Sequence, residues 1–387
     1  MNMNAVHQST PSHRRRLHKR AVRVLTAVPL CDGHDSAIMT INLELVRHGI
    51  EVIYLGYHRS VADIVRAAIQ EDARAIGLSS YNGGHVEFFG EVLHRLRRRG
   101  AGDIGLFGGG GATITGADAK LMKRSGVDQI FFPGSSLAEM VEFVKRTYGS
   151  RSRTYSAMNG QRSFSDRQIA KALSAVEAGG RPAAPNPQRS TPVIGITGPG
   201  GAGKTTLIDE LTLRFFKAHP QSRLAILSHD PSLARAGALL GDRATMVYAQ
   251  DDRVFMRSLA TGGKAGGLSM ATRGCLEVLR HSGFDVVLVE SAGIGQEAAP
   301  FARGLADKQV LVMSPDYGSR LQLQKILMLE AADVVTVNKS DRPAARTAIS
   351  ELEQRLALNG KGQKLIATVA KRHRDPGVDE LFDWLDL

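Results

Sequence analysis

An α/β protein of two domains, each a parallel sheet wound with helices on both faces, is what this sequence predicts. Three observations carry that prediction. Five short apolar runs alternate with amphipathic stretches between residues 21 and 148, the pattern of strands joined by crossover helices. A stretch rich in Ser, Arg, Gly and Pro fills 149–190 and ends in Gly179-Gly180-Arg181-Pro182-Ala183-Ala184-Pro185-Asn186-Pro187, a composition suited to a linker. The apolar run Val193–Thr197 then leads into Gly198-Pro199-Gly200-Gly201-Ala202-Gly203-Lys204-Thr205 and a helix-forming stretch. A chain of 387 residues is long enough for two domains that each bury a core.

Taken in order, residues 1–20 contain five basic residues and no acid. They read as a disordered basic arm, because the apolar stripe of a targeting helix is missing. Strands are expected at Val22–Val28, Val52–Leu55, Ala75–Ser79, Ile104–Phe107 and Gln129–Phe132, and helices at Ala37–Arg47, Val61–Ala68 and Glu87–Arg98. This first domain spans 21–148. Within the 149–190 linker, Ile169, Leu173 and Val176 are spaced for one face of a short helix over Asp166–Ala178. The second domain spans 191–387, with strands at Val193–Thr197, Asp285–Val289 and Val334–Val337.

The net charge of +12 suggests a polyanion binder until it is divided along the chain. Residues 1–20 and 151–190 each contribute +5, residues 21–150 balance, and residues 191–387 add +2. Ten of the charges therefore sit on a tail and a linker, and neither folded body offers a basic surface for nucleic acid. No apolar run reaches membrane-spanning length, and two distant cysteines, Cys31 and Cys275, fit a reducing cytoplasm.

The run from Gly198 to Thr205, placed between a strand and a helix, is a complete phosphate-binding loop. Backbone N–H groups of Gly198, Gly200, Gly201, Ala202 and Gly203 face phosphates, with Thr206 opening the helix beside them. Lys204 reaches the β and γ groups, and the Thr205 hydroxyl binds Mg²⁺. Asn338-Lys339-Ser340-Asp341 follows a strand downstream. The Asp341 carboxylate can accept two hydrogen bonds from a guanine edge, which adenine cannot supply. Together these segments point to GTP.

In the first domain three segments would share one sheet edge: Asp32-Gly33-His34 after the first strand, Ser79-Ser80-Tyr81-Asn82-Gly83-Gly84-His85 after the third, and Gly108-Gly109-Gly110-Gly111 after the fourth. Glycines there allow a bulky ligand close to the backbone. On these segments residues 21–148 resemble the cobalamin-binding domain of acyl-CoA mutases, especially the fused isobutyryl-CoA mutases. That resemblance implies a flavodoxin-like (Rossmann-type) cobalamin-binding domain followed by a P-loop GTPase domain. It implies that His34 is the lower cobalt ligand and that Asp32 accepts its Nδ1–H. Ser79, Ser80 and Gly108–Gly111 would line the channel for the displaced vitamin tail, with Gly33, Tyr81, Gly83 and Gly84 beside it. The family usually has glycine where Ala37 stands.

Residues 191–377 resemble the GTPases that chaperone methylmalonyl-CoA mutase, on Asp230-Pro231-Ser232, Gly237-Ala238-Leu239-Leu240-Gly241-Asp242-Arg243 and Glu290-Ser291-Ala292-Gly293-Ile294-Gly295-Gln296. Carried over, Asp230, Asp242 and Glu290 would surround Mg²⁺ with Thr205, and Gly293 would sense the γ-phosphate. Lys204, Glu290 and Gly293 thus carry the hydrolysis. Arg243 and Gln296 read either as surface switch residues without direct chemistry or as residues with a direct role in it. The family's Ala-Thr-Arg-Gly segment reads Ala260-Thr261-Gly262-Gly263-Lys264 here. With no assignable arginine finger or catalytic glutamine, slow intrinsic hydrolysis raised by a partner is expected.

The resemblance therefore implies a carrier of adenosylcobalamin joined to a GTPase that uses GTP and Mg²⁺, serving a separate acyl-CoA mutase large subunit. Mutase chemistry is expected only with that subunit or within a longer fused enzyme, because the acyl-CoA-binding barrel is not found before Leu387. The basic linker is expected to let the two domains change relative position. Homo-oligomer formation is left open. Two other functions fit a cobalamin domain: a corrinoid carrier for methyl transfer, and a cobalamin-responsive regulator.

Overall fold

The computed structural model describes residues 21–29, 36–81, 83–111, 113–149, 164–180, 191–232, 237–293, 300–301, 304–317 and 327–387. Its first part alternates β1 (Arg23–Ala27), α1 (Ser36–Arg47), β2 (Glu51–Tyr54), α2 (Val61–Gln70), β3 (Ala75–Ser79), α3 (His85–Arg98), β4 (Gly105–Gly109), α4 (Gly116–Ser125), β5 (Gln129–Phe131) and α5 (Leu137–Tyr148). Local sequence sets the helix starts. Ser60 with Asp63 and Thr115 with Asp118 form reciprocal capping boxes at α2 and α4, which satisfy backbone N–H groups no helical carbonyl can reach. The five strands are parallel in the order β5-β4-β3-β1-β2. The order reverses between β1 and β3, so a crevice opens beyond their carboxyl ends.

Helix α6 (Asp166–Glu177) follows, capped by Ser165 and Gln168. The second part comprises β6 (Val193–Thr197), α7 (Lys204–Ala218), β7 (Leu224–Asp230), β8 (Ala238–Leu240), α8 (Asp242–Thr245), β9 (Val254–Ala260), α9 (Thr272–Arg280), β10 (Val286–Glu290), β11 (Lys308–Met313), α10 (Leu327–Ala331), β12 (Val334–Val337), α11 (Ala345–Asn359), β13 (Lys364–Ala367) and α12 (Pro376–Leu385). Its parallel sheet runs β13-β12-β11-β6-β10-β7-β9, with the phosphate-loop strand β6 at the centre. Every residue of β6 and β10 is buried, as expected of strands covered by helices on both faces. Among the described residues no helix is long and apolar enough to cross a membrane.

The two parts do not hang on a loose linker. Strand β8, part of the Gly237–Arg243 stretch that carries the GTPase resemblance, leaves its own domain and pairs in parallel with β2, aligning Ala238 with Glu51 and Leu240 with Ile53. Ala238 and Leu240 are buried in the first domain's core, beside Leu25, Ile53 and Ile64. A three-residue strand has too little periodicity to reveal such a partner in the sequence. In the other direction, β9 is the edge of the second sheet, and the C-terminal end of α2 covers it. Gln70 Nε2 donates to Val254 O (2.7 Å), Gln70 Oε1 accepts from Met256 N (3.3 Å), and Glu71 accepts from Ser258 N (3.0 and 3.1 Å). Side chains of one domain thus supply the partners that a missing neighbour strand would have given the other. Helix α6 packs Ile169, Leu173 and Val176 against Phe255, Leu276 and Val287 of the second domain, while Glu177 reaches both Arg23 (3.1 Å) and Arg257 (2.7 Å). The expected freedom of the two domains therefore gives way to a polar, buried joint.

Candidate functional sites

The phosphate loop joins the buried β6 to α7, and its geometry depends on glycine. Gly201 and Gly203 hold φ of +76° and +90°, a region that side chains disfavour. A Cβ on Gly203 would also stand 2.4 Å from Asn338 Nδ2. Lys204 is buried at the start of α7, its ammonium 3.3 Å from Pro199 O. Desolvation pulls its pKa down, and Glu290 and Asp242 oppose that pull.

Around this loop the structure gathers the acids expected from the sequence. Thr205 Oγ1 donates to Glu290 Oε1 at 3.0 Å, and Asp242 accepts from Ser228 Oγ. Asp230 ends β7 and Glu290 ends β10, two strands that pair directly. Burial raises Asp230 to about 8, reinforced by Asp242. Burial raises Glu290 to about 8, again reinforced by Asp242 and eased by Lys204. Desolvation raises Asp242 too. Among the described residues Asp230 Oδ2 and Glu290 Oε2 are buried without a hydrogen-bond partner. Orphaned acceptors beside a buried ammonium fit a site for a cation and phosphates. No three acids converge into a ready cage among the described residues, which suits Mg²⁺ that keeps waters and phosphate oxygens as ligands.

Gly293 rests on the loop itself, since a Cβ there would stand 2.6 Å from Gly200 Cα and 3.0 Å from Lys204 Nζ. It is therefore placed to feel whatever occupies the loop. Asn338 braces the far side, donating to Ala202 O (2.9 Å) and accepting from Ala370 N (3.0 Å). Lys339 donates to Gly201 O at 2.5 Å. A pocket of about 130 Å³ lies between Gly203, Thr206, Asn338, Lys339, Asp341 and Lys371. Asp341 meets Lys371 Nζ at 2.6 Å, and that hydrogen bond holds its pKa below the ordinary carboxylate range. Sequence reading missed Ala370 and Lys371. Their only signal is a short polar turn after the last strand, which is common to many loops.

At the carboxyl edge of the first sheet a cavity of about 600 Å³ opens between Thr26, Ile38, Ser79, Tyr81, Phe107 and Met140. Gly108–Gly111 line it as expected, for a reason internal to the protein. A Cβ on Gly110 would lie 1.6 Å from Ser80 O, and one on Gly108 would lie 2.4 Å from Leu78 O. The glycines let the ends of β3 and β4 close together, with Ser80 N donating to Gly109 O at 2.8 Å, and the cavity forms above them. Ser80 is buried in that seam. Gly83 and Gly84 do not line the cavity, and Gly84 instead opens α3 with φ of +81°. Asp32, Gly33 and His34 lie outside the described residues, as does Gln296. Ala37 lies on the cavity wall. Thr26 was not foreseen. Its hydroxyl is buried on that wall and has no partner among the described residues, an unmet polar group that a ligand with polar edges would satisfy.

Arg243 departs from the sequence expectation of a surface switch residue. It is fully buried, with both guanidinium NH₂ groups 3.1 Å from Gln70 Oε1 and one 3.4 Å from Glu71 Oε1.

Comparison with known proteins agrees with both halves. Residues 182–386 match the family described as methylmalonyl Co-A mutase-associated GTPase MeaB, and residues 22–141 match the B12 binding domain family. The chain is 36% identical over 392 residues to a fused isobutyryl-CoA mutase of Geobacillus kaustophilus, covering 94% of this chain and 36% of that protein. It is likewise 36% identical over 390 residues to a fused isobutyryl-CoA mutase of Cupriavidus metallidurans, covering 94% and 35%. The chain thus spans about a third of the length of these curated relatives. Among solved structures, a LAO/AO transport system kinase aligns with a TM-score of 0.41 at 21% identity, over 57% of this chain and 69% of that one.

Proposed function

Because the chain belongs to the methylmalonyl-CoA mutase-associated GTPase family and joins that GTPase to a B12-binding domain, we propose that it carries adenosylcobalamin for an acyl-CoA mutase. GTP hydrolysis gates the loading or repair of that cofactor. The observation that supports this most directly is that strand β8, paired with β2, joins a phosphate-loop site beside Asp242 and Glu290 to a domain with an apolar cavity at a sheet switch point. Isomerase activity belongs to a large subunit that binds the acyl-CoA, or to a longer chain of which this sequence is a part.

For hydrolysis, the chain's own groups bind and orient. Loop N–H groups of Gly198, Gly200, Gly201, Ala202 and Gly203 hold the phosphates, and Lys204 places a positive charge on the β and γ oxygens. Asp341 and Asn338 select guanine. Thr205, Asp230, Asp242 and Glu290 would hold Mg²⁺, which supplies neutralisation of the phosphate charge. Gly293 donates its N–H to the γ-phosphate, so loss of that group frees it from the loop.

For the other site, adenosylcobalamin supplies homolysis of a cobalt–carbon bond to a partner mutase. His34 would hold cobalt, with Asp32 fixing its tautomer. Thr26 and Ser79 would meet polar edges of the tail, and the apolar wall of Ile38, Phe107 and Met140 would exclude water.

Titration of the purified chain with adenosylcobalamin, followed by absorbance with and without GTP and Mg²⁺, tests this reading. A histidine-bound, base-off spectrum that shifts with nucleotide is expected. A spectrum identical to free cofactor at every concentration would remove the carrier role.

A further inference from the structure

We propose that Gln70 and Glu71 of the cobalamin domain are positioning residues for the GTPase site, acting through Arg243 on the neighbouring Asp242. The proposal rests on the reading of Asp242 as a residue that faces Mg²⁺.

The segment from Gly237 to Arg243 is held by the first domain on both sides of Asp242. On the N-terminal side, Gly237 N donates to Val46 O (3.1 Å), and a Cβ at Gly237 would stand 2.2 Å from Ile50 O. Strand β8 then adds to β2. On the C-terminal side, Arg243 is clamped by Gln70 and Glu71, and the next residue, Ala244, gives its carbonyl to Arg59 at 2.7 Å. Only Gly241 and Asp242 stand between the two anchors, and Asp242 points back to Ser228 on β7. The position of this carboxylate is therefore fixed by a domain to which it does not belong.

The clamp is also costly to rearrange. Arg23, Arg243 and Arg257 are all essentially buried, and Glu71 is fully buried between them. Glu71 is further fixed by Ser258, which donates through its N–H and its hydroxyl (3.0 Å). Removing one member of such a cluster strands the others without partners, so it has few intermediate arrangements.

A physical path leads from this clamp to the cavity. Ile38, Ile41 and Leu45 of α1 line the cavity wall. The same helix presents Val46 O to Gly237, the residue just before β8. Displacement of α1 by a ligand in the cavity moves the N-terminal anchor of Asp242, while Gln70 and Glu71 hold the other.

The test uses the full chain and a fluorescent GTP analogue, with affinity measured in the presence and absence of Mg²⁺. Gln70→Ala and Glu71→Gln are compared with wild type after circular dichroism and thermal melting confirm folding. Gln70→Ala guards against the loss of folding that a charge change at Glu71 could cause. Expected is a roughly tenfold loss of the Mg²⁺-dependent gain in affinity, with Mg²⁺-free affinity within about twofold of wild type. Folded variants that keep the full Mg²⁺-dependent gain overturn the proposal. Adenosylcobalamin is then added: it should shift the Mg²⁺ midpoint of wild type and not that of either variant, and an equal shift in all three overturns the cavity-to-Asp242 path. If wild type binds no cobalamin, the carrier reading fails, while the Mg²⁺ comparison still decides the positioning role.

Discussion

At the carboxyl edge of the second sheet, Asp230, Asp242, Glu290 and Lys204 crowd a small polar space. The matching edge of the first sheet opens a cavity of about 600 Å³ walled mostly by apolar side chains and glycine. Both lie where parallel strands end and the chain turns into a helix, and the difference is in what the loops do there. A short anion such as a triphosphate is held by N–H groups and one ammonium, so the second sheet keeps its loop tight. A large, mostly apolar ligand needs room, so the first sheet draws β3 and β4 together and leaves space above them. The fold supplies position, and loop chemistry supplies the ligand class.

The largest expected effect is on the charged edge. Lys204→Ala should lower GTP turnover about 10³-fold, the scale of removing one preorganised group that stabilises transition-state charge. Phosphate release assays read this directly, and turnover within tenfold of wild type would break the assignment of the loop. Nucleotide-free cobalamin absorbance in the same variant should stay unchanged, since the described partners of Lys204 are Pro199, Asp242 and Glu290 of the second domain.

Next comes a substitution that closes the apolar edge alone. A side chain at Gly110 meets Ser80 O at 1.6 Å, whereas one at Gly83 meets nothing within 4 Å. Gly110→Val should cost about 1–3 kcal/mol of stability and remove cobalamin binding. Gly83→Ala should leave both within error, and denaturant melts with parallel absorbance titrations separate the two. Equal behaviour of the pair would show that the glycine run does not shape the cavity.

These two glycines also show how far sequence reading reached. The phosphate loop and the Asn338–Asp341 segment were legible because their chemistry is local: a few consecutive backbone groups and one carboxylate define the ligand. The Gly108–Gly111 run was legible as a site, but its cause was not, because the clash it avoids is with Ser80, 30 residues earlier. Strand β8 and Arg243 were the least legible. Their partners, Glu51–Ile53, Gln70 and Glu71, lie about 170–190 residues away, and nothing in Gly237–Arg243 advertises a neighbour at that distance. The domain plan read from composition described segments of chain, whereas the edges of the two sheets are completed across that plan.

A pH test sharpens the same contrast. Burial raises Asp230 and Glu290 to about 8 from ordinary values near 4, so the metal-free folded chain holds their protons more tightly than the unfolded chain. The stability they contribute is full below about pH 4 and is lost as pH climbs towards about 8. The melting temperature of nucleotide-free, Mg²⁺-free protein should therefore fall between about pH 5.5 and 8 relative to Glu290→Gln. Binding of GTP with Mg²⁺ near pH 7 should release protons, because the acids must ionise to face the cation. Calorimetry in two buffers of different ionisation enthalpy measures that release, and its absence would separate the acids from the cation.

The smallest effect is expected at Thr26. Its hydroxyl is buried on the cavity wall without a partner among the described residues, and an unmet hydroxyl is a cost to the free protein that a ligand can repay. Thr26→Val keeps the shape of the side chain and removes the polar atom, so the unliganded protein should be as stable as wild type or slightly more so. Cobalamin affinity should fall about 3- to 10-fold, the value of one ordinary hydrogen bond. Equal affinity in the two proteins would mean that the vitamin does not reach Thr26, and would place its polar groups nearer Ser79 on the neighbouring strand.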